Sequence, residues 1–158
     1  MNLEWIRTEV YHPLTVHLPI GLLLLATVVI TLQFFSRAKA GWQRVVDISL
    51  YAGVGFIWLA VYTGDLADGL VSRHLCDPTV LKDHENFGFY TAYVYSAAAV
   101  LQIIVRAIKS LAAKLGLLIV VMVWCGAILL FYVGHLGASL VYEQAAGVLV
   151  PTENCEGF

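Results

Sequence analysis

Apolar residues run along this chain in four long blocks, Leu14 to Phe35, Val45 to Thr63, Phe87 to Val105 and Leu115 to Tyr142, separated by short polar stretches. Each block meets or approaches the roughly 20 residues that a helix needs to cross about 30 Å of hydrocarbon. Leu, Ala, Val and Ile follow one another without the period of two that a membrane strand imposes, which disfavours a barrel. Helices, which satisfy their own backbone groups, are the remaining way to span lipid. The pattern predicts an all-α polytopic membrane protein, with four transmembrane helices at approximately 13–36, 43–64, 78–107 and 114–142. They form a single up-and-down bundle over residues 1–158, with a tail at 143–158, and no internal repeat or long linker divides it. The N-terminus does not read as a cleavable signal, because Glu4 and Glu9 accompany Arg7 ahead of a long apolar run.

Composition agrees. With 60% hydrophobic and 13% charged residues, the chain departs from a soluble domain, for which roughly half apolar and a quarter charged is typical. Lipid is the expected environment, and nothing points to nucleic acid. Charge then orients the bundle. Arg37, Lys39 and Arg44 fall between the first two blocks, and Arg106, Lys109 and Lys114 between the last two. The opposite side carries Arg7, Arg73 and Lys82 against most of the acids. Short cytoplasmic loops retain Lys and Arg, so both termini are expected outside.

Cys76 and Cys155 then lie on the outer, oxidising side, where a disulfide between them is the preferred reading and two free thiols the alternative. Cys125, inside the fourth block, reads as a small packing residue. No CxxCH is present for covalent haem.

All five histidines, His12, His17, His74, His84 and His135, fall on the outer half. At about 1.5 Å per residue, His17 lies roughly 30 Å from Arg37, His84 roughly 33 Å from Arg106 and His135 roughly 31 Å from Lys114. Asp65 of the second helix reaches the same layer. One such histidine alone is an ordinary interfacial group. Three helices placing imidazole at one depth point instead to a shared site, since polar groups in lipid turn toward the bundle interior. Inward stripes are expected at Trp58, Tyr62 and Asp65, at His84, Gly88, Thr91, Tyr95 and Gln102, and at Tyr132, His135, Ser139 and Tyr142.

Imidazoles from different helices are how bundles build metal sites. Haem b held by two of His17, His84, His135 and His12 is the leading expectation, with Gly21, Gly88, Gly134 and Gly137 leaving room for the macrocycle and Asp65, Ser139 and Tyr142 supporting the ligands. Copper, iron or zinc bound by His17, His84 and His135, with Asp65 as fourth ligand, is the alternative. An accessory structural subunit of a larger complex, which the resemblance described next implies to be of respiratory type, is a third reading. Of His12 and His17, five residues and about 140° apart on a helix, His17 is the expected ligand because its level matches the others. Hydrolase and nucleotide-binding signatures are missing: there is no GxSxG, P-loop or HExxH.

HPLTVHLPIG at His12 to Gly21, HENFG at His84 to Gly88 and GHLGASLVY at Gly134 to Tyr142, in that order, resemble a bacterial family of small four-helix membrane proteins of unknown function with an HPLxVHFPIAL opening. The resemblance covers nearly the whole chain. It departs at Leu18, where phenylalanine is common, and at Ala145 and Ala146, where glycine often stands. By position the family's histidines correspond to His12, His17, His84 and His135. Some relatives are joined to c-type cytochrome modules, which implies the bacterial inner membrane, an electron-transfer setting, c-type cytochromes or other subunits as partners, and haem b in the bundle.

Overall fold

The computed structural model describes residues 7–36 and 41–148. Four helices fill it: α1, Thr8–Phe35; α2, Gln43–His74; α3, Pro78–Ala107; and α4, Ala112–Gln144. All four are long and apolar enough to cross a membrane, and no strand occurs among the described residues.

Local chemistry sets the helix ends. Asp77 caps α3 by accepting from the amide of Thr79 at 2.9 Å and from its hydroxyl at 2.6 Å, and Pro78 takes the first helical position, where no amide hydrogen is needed. α4 stops where Ala145 turns left-handed, at φ 53°, and the next amide closes back on the carbonyl of Leu140 at 3.0 Å. α1 begins at Thr8, not at Pro13, so both Pro13 and Pro19 lie inside it and each removes one i→i−4 bond. α2 runs on past Thr63 to His74 and contains a wide π turn at Ile48–Ala52, where the Ser49 hydroxyl donates to the carbonyl of Val45 at 2.6 Å.

The bundle is antiparallel between every pair of neighbours. Near one end of the α2–α3 interface Arg106 forms a two-pronged ion pair with Asp47, at 2.8 and 2.9 Å, and further along it the Trp58 indole donates to Ser96. α1 packs chiefly on α2 and α3 on α4, with α1–α4 and α2–α3 faces closing the ring, so α1 and α3 are diagonal. One end carries His12, His84 and the α2–α3 connection. The other carries the two remaining connections, with Arg44, Arg106, Lys109 and Lys114.

In the middle, Leu23, Leu50, Tyr95 and Val123 are fully buried. The Thr27 hydroxyl donates to the carbonyl of Leu23 at 2.8 Å, so the Tyr95 hydroxyl, 3.0 Å away, donates to Thr27 and ties α3 to α1 across the diagonal. Small residues set the helix spacing. A Cβ at Gly53 would stand 2.6 Å from Leu23, and one at Gly126 2.7 Å from the ring of Tyr95.

The inward faces of α2 and α4 differ from the expected ones. α2 turns Ile57, Ala60, Thr63 and Ala67 inward, and leaves Trp58, Tyr62 and Asp65 exposed. α4 turns Val123, Gly126, Ala127 and Leu140 inward, leaving Tyr132 and His135 exposed, Ser139 half-buried and Tyr142 87% exposed. Close helix contact selected the small residues, and the amphipathic aromatics went to the rim, where Trp and Tyr sit comfortably at a membrane surface. On α3 the stripe through Thr91, Tyr95 and Gln102 is buried as its spacing implies.

Candidate functional site

His12 on α1 and His84 on α3 meet inside one end of the bundle. Their ring centroids are 5.9 Å apart and the planes stand at 86°. Each imidazole leans on the second helix of its own hairpin. His12 Nδ1 lies 2.9 Å from the carbonyl oxygen of Ala60 on α2, and His84 Nδ1 lies 3.0 Å from that of Val133 on α4. A carbonyl can only accept, so both Nδ1 atoms carry the proton. In the neutral ring that leaves Nε2 with its lone pair, the state a metal requires.

The surroundings hold these orientations. Gly64, one turn beyond Ala60, puts bare backbone beside His12: a Cβ there would lie 3.2 Å from Cε1 and from Nδ1 of the ring. Gly137, one turn beyond Val133, does the same for His84, with Cε1 at 3.1 Å. The Thr15 and Thr63 hydroxyls meet at 2.8 Å and brace α1 to α2 beside His12, while Thr63 also donates to the carbonyl of Ala60 at 3.0 Å. Phe87, one turn below His84, packs edge-on against Tyr132 of α4 with centroids 4.7 Å apart, and the two rings wall the second hairpin.

The other expected residues are not brought to this pair. His17 and His135 are exposed, as are His74, Asp65 and Gly21; Gly88 is half-buried with open space where a Cβ would stand. Among the described residues no group of three or more histidine, cysteine or acidic side chains is assembled. The structure brings His12 beside His84 and does not bring His17, His135 or Asp65 to that pair. The pairing follows from helix phase. His12, Pro19, Leu23, Ala26, Thr27 and Ile30 lie at offsets of seven, eleven, fourteen, fifteen and eighteen, one face of a 3.6-residue helix, and every one from Pro19 onward is buried. His17 is out of phase with that face. Depth could not distinguish two histidines little more than one turn apart, whereas phase separates them by about 140°.

Cys76 is exposed at the same end, and Cys155 lies outside the described residues. A separate cavity of about 320 Å³ nearby is lined by Arg7, Glu9, His74 and Gln144 among others, but Arg7 is already spent on Glu9 and on the carbonyl of Gly147.

Four apolar helices, with an imidazole pair between α1 and α3 inside one end, define a polytopic membrane protein. The chain belongs to the family described as "Predicted membrane protein (DUF2231)", which matches residues 9–149 and so takes in both histidines. Comparison with curated proteins and comparison with solved structures each give no match.

Proposed function

We propose that the chain is an electron-transfer subunit of the membrane that holds haem b between His12 and His84. The observation that carries this reading is the paired imidazoles, each with Nδ1 committed to a carbonyl and Nε2 left free. At 5.9 Å between ring centroids, the two imidazoles are close enough for one bound group to meet both.

The donor set fits haem iron better than a catalytic metal. His12 and His84 would hold a haem iron through their two imidazoles, whereas a bare copper, iron or zinc centre would take three or four protein ligands, which are not assembled among the described residues. The two helices flanking the α1–α3 diagonal both present glycine, Gly64 and Gly137, at this level. When bound, haem would supply a one-electron couple. The chain's own residues do the rest. The carbonyls of Ala60 and Val133 fix the tautomer and strengthen both imidazoles as donors. Phe87 and Tyr132 keep water from one flank, and the surrounding apolar helices lower the local dielectric, a lever on potential.

Orientation belongs to the same proposal. The basic connections lie at the end away from the histidines, so with those connections in the cytoplasm of a bacterial inner membrane the site faces outward. A c-type cytochrome or another subunit on that side is the partner that would exchange electrons with it. The test is a reduced-minus-oxidised spectrum and metal analysis of the purified chain and its variants. Haem b in the wild type, absent from His12→Ala and His84→Ala and retained in His17→Ala and His135→Ala, supports the reading. A colourless protein from haem-replete cells, or haem retained after loss of both His12 and His84, overturns it.

A further inference from the structure

The two hairpins repeat one another. The inward face of α1 reads His12, Pro19, Leu23, Ala26, Thr27 and Ile30, and that of α3 reads His84, Thr91, Tyr95, Ala98, Ala99 and Gln102, the same offsets 72 positions later. In both helices the residues from offset seven onward are buried. Packing repeats as well. Gly53 of α2 faces Leu23 of α1, and Gly126 of α4 faces Tyr95 of α3, with would-be Cβ distances of 2.6 and 2.7 Å. At the histidine end, Ala60 accepts from His12 and Gly64 lies against its ring, while Val133 accepts from His84 and Gly137 lies against that ring. Exposed positions excepted, identical residues recur only at the histidines, at one alanine and at two glycine pairs, 53 with 126 and 64 with 137; the rest has diverged: Thr15 and Thr63, which brace the first hairpin, have Phe87 and Leu136 in their places.

We infer that the bundle is a pair of equivalent helical hairpins related by a pseudo-twofold axis between His12 and His84, and that Gly64 and Gly137, with the carbonyls of Ala60 and Val133, are matched positioning elements presenting both Nε2 atoms to one shared group on that axis. Only the identity of that group rests on the haem reading. Close approach explains the glycines: the Cε1 edge of each ring faces the backbone one turn beyond the carbonyl that its Nδ1 bonds, and a Cβ there would press on that edge. At 3.1–3.2 Å an added methyl is tighter than ordinary contact, and its opponent is a ring already pinned by a hydrogen bond. Gly55, also on α2, has open space at its Cβ position and serves as the control.

The experiment combines two readings on the full-length chain. In ¹⁵N-histidine-labelled, metal-free protein, His12 and His84 should both show Nδ1 protonated and Nε2 bare, and Gly64→Ala and Gly137→Ala should each disturb the imidazole of its own hairpin. Haem occupancy on titration with haemin should fall about 10-fold or more in both variants, to a similar degree, and stay unchanged in Gly55→Ala. Nε2-protonated tautomers in the wild type would overturn the inference, and this needs no variant to fold. So would glycine variants that behave like Gly55→Ala, or a strong effect from one hairpin and none from the other. Tautomers and glycine effects as expected, in a chain that takes up no haem, would sustain the inference and refute the haem reading alone.

Discussion

Replacing Gly126 by alanine puts a methyl group 2.7 Å from Cε2 and 2.9 Å from Cδ2 of Tyr95, a ring with no exposed surface. The ring cannot retreat cheaply. It is a rigid plane, its hydroxyl is tied to Thr27 at 3.0 Å, and α1 stands behind it. Overpacking of this kind costs about 1–3 kcal/mol. Displacing Tyr95 far enough to lose its bond to Thr27 adds about 1 kcal/mol. Alanine's better helix propensity returns about 1 kcal/mol. The net expectation is a loss of about 1–3 kcal/mol, read as a shift of the unfolding midpoint when the purified protein is titrated with SDS in mixed micelles. Gly53→Ala should also destabilise, because it meets Cδ2 and Cγ of the fully buried Leu23 at 2.6 and 2.9 Å and Cβ of Leu22 at 3.3 Å. Gly55→Ala, which meets nothing within 4 Å, should be neutral or slightly stabilising. If Gly126→Ala unfolds at the wild-type midpoint or above, the close α3–α4 contact through Tyr95 is not what spaces the second hairpin.

Three further outcomes are expected. Asp47→Asn, which breaks the half-exposed ion pair with Arg106, should change stability by at most about 1 kcal/mol in the same assay, as partly solvated pairs do. Hydrogen bonds from the hydroxyl and then the amide of Thr79 hold the Asp77 carboxyl below its usual range. Its capping contribution is therefore complete above the unfolded carboxyl's value of about 4 and is lost as pH falls below that through the folded value. Amide exchange in the first turn of α3 should accelerate over that interval in the wild type and be fast and pH-insensitive, after correction for intrinsic rates, in Asp77→Ala. In a Cys125→Ser background, a membrane-impermeant maleimide added to intact cells should label the chain at Cys76 from the outside; labelling that needs prior reduction would reveal its bond to Cys155, and labelling only after permeabilisation would reverse the proposed orientation.

Fold class was legible because burial in lipid leaves a coarse trace: blocks of about twenty apolar residues and breaks at charged loops. The cap at Asp77 was legible too, since the Asp-Pro pair states its chemistry locally. Facing was harder. The expectation that polar stripes turn inward succeeds for Thr91, Tyr95 and Gln102, which are deep in the bundle, and fails for Trp58, Tyr62, Tyr132 and Tyr142. Those aromatics carry one polar atom on a large apolar body and are stable at the membrane surface, so polarity alone does not draw them inside.

The exchange of His17 for His12 has a more general cause. Depth along a helix advances about 1.5 Å per residue, so a choice of anchor wrong by one turn moves every level by about 5.4 Å without changing which residues look coplanar. Phase advances about 100° per residue and depends on no anchor. The phase is set by the apolar residues themselves: Leu23, Ala26 and Ile30 are buried, and only His12 among the histidines of α1 shares their face. The same test applied to α3 selects His84, at the same offsets from its own buried residues. Two helices that obey one offset series, each opening on a histidine, amount to an internal repeat that ordinary residue identity conceals, because core positions tolerate Leu for Tyr or Ile for Gln so long as the volume is filled and polar atoms find partners. What the two hairpins have kept in common includes the imidazole at the head of each series and the glycines at the closest approaches, Gly53 and Gly126 in the core and Gly64 and Gly137 beside the rings.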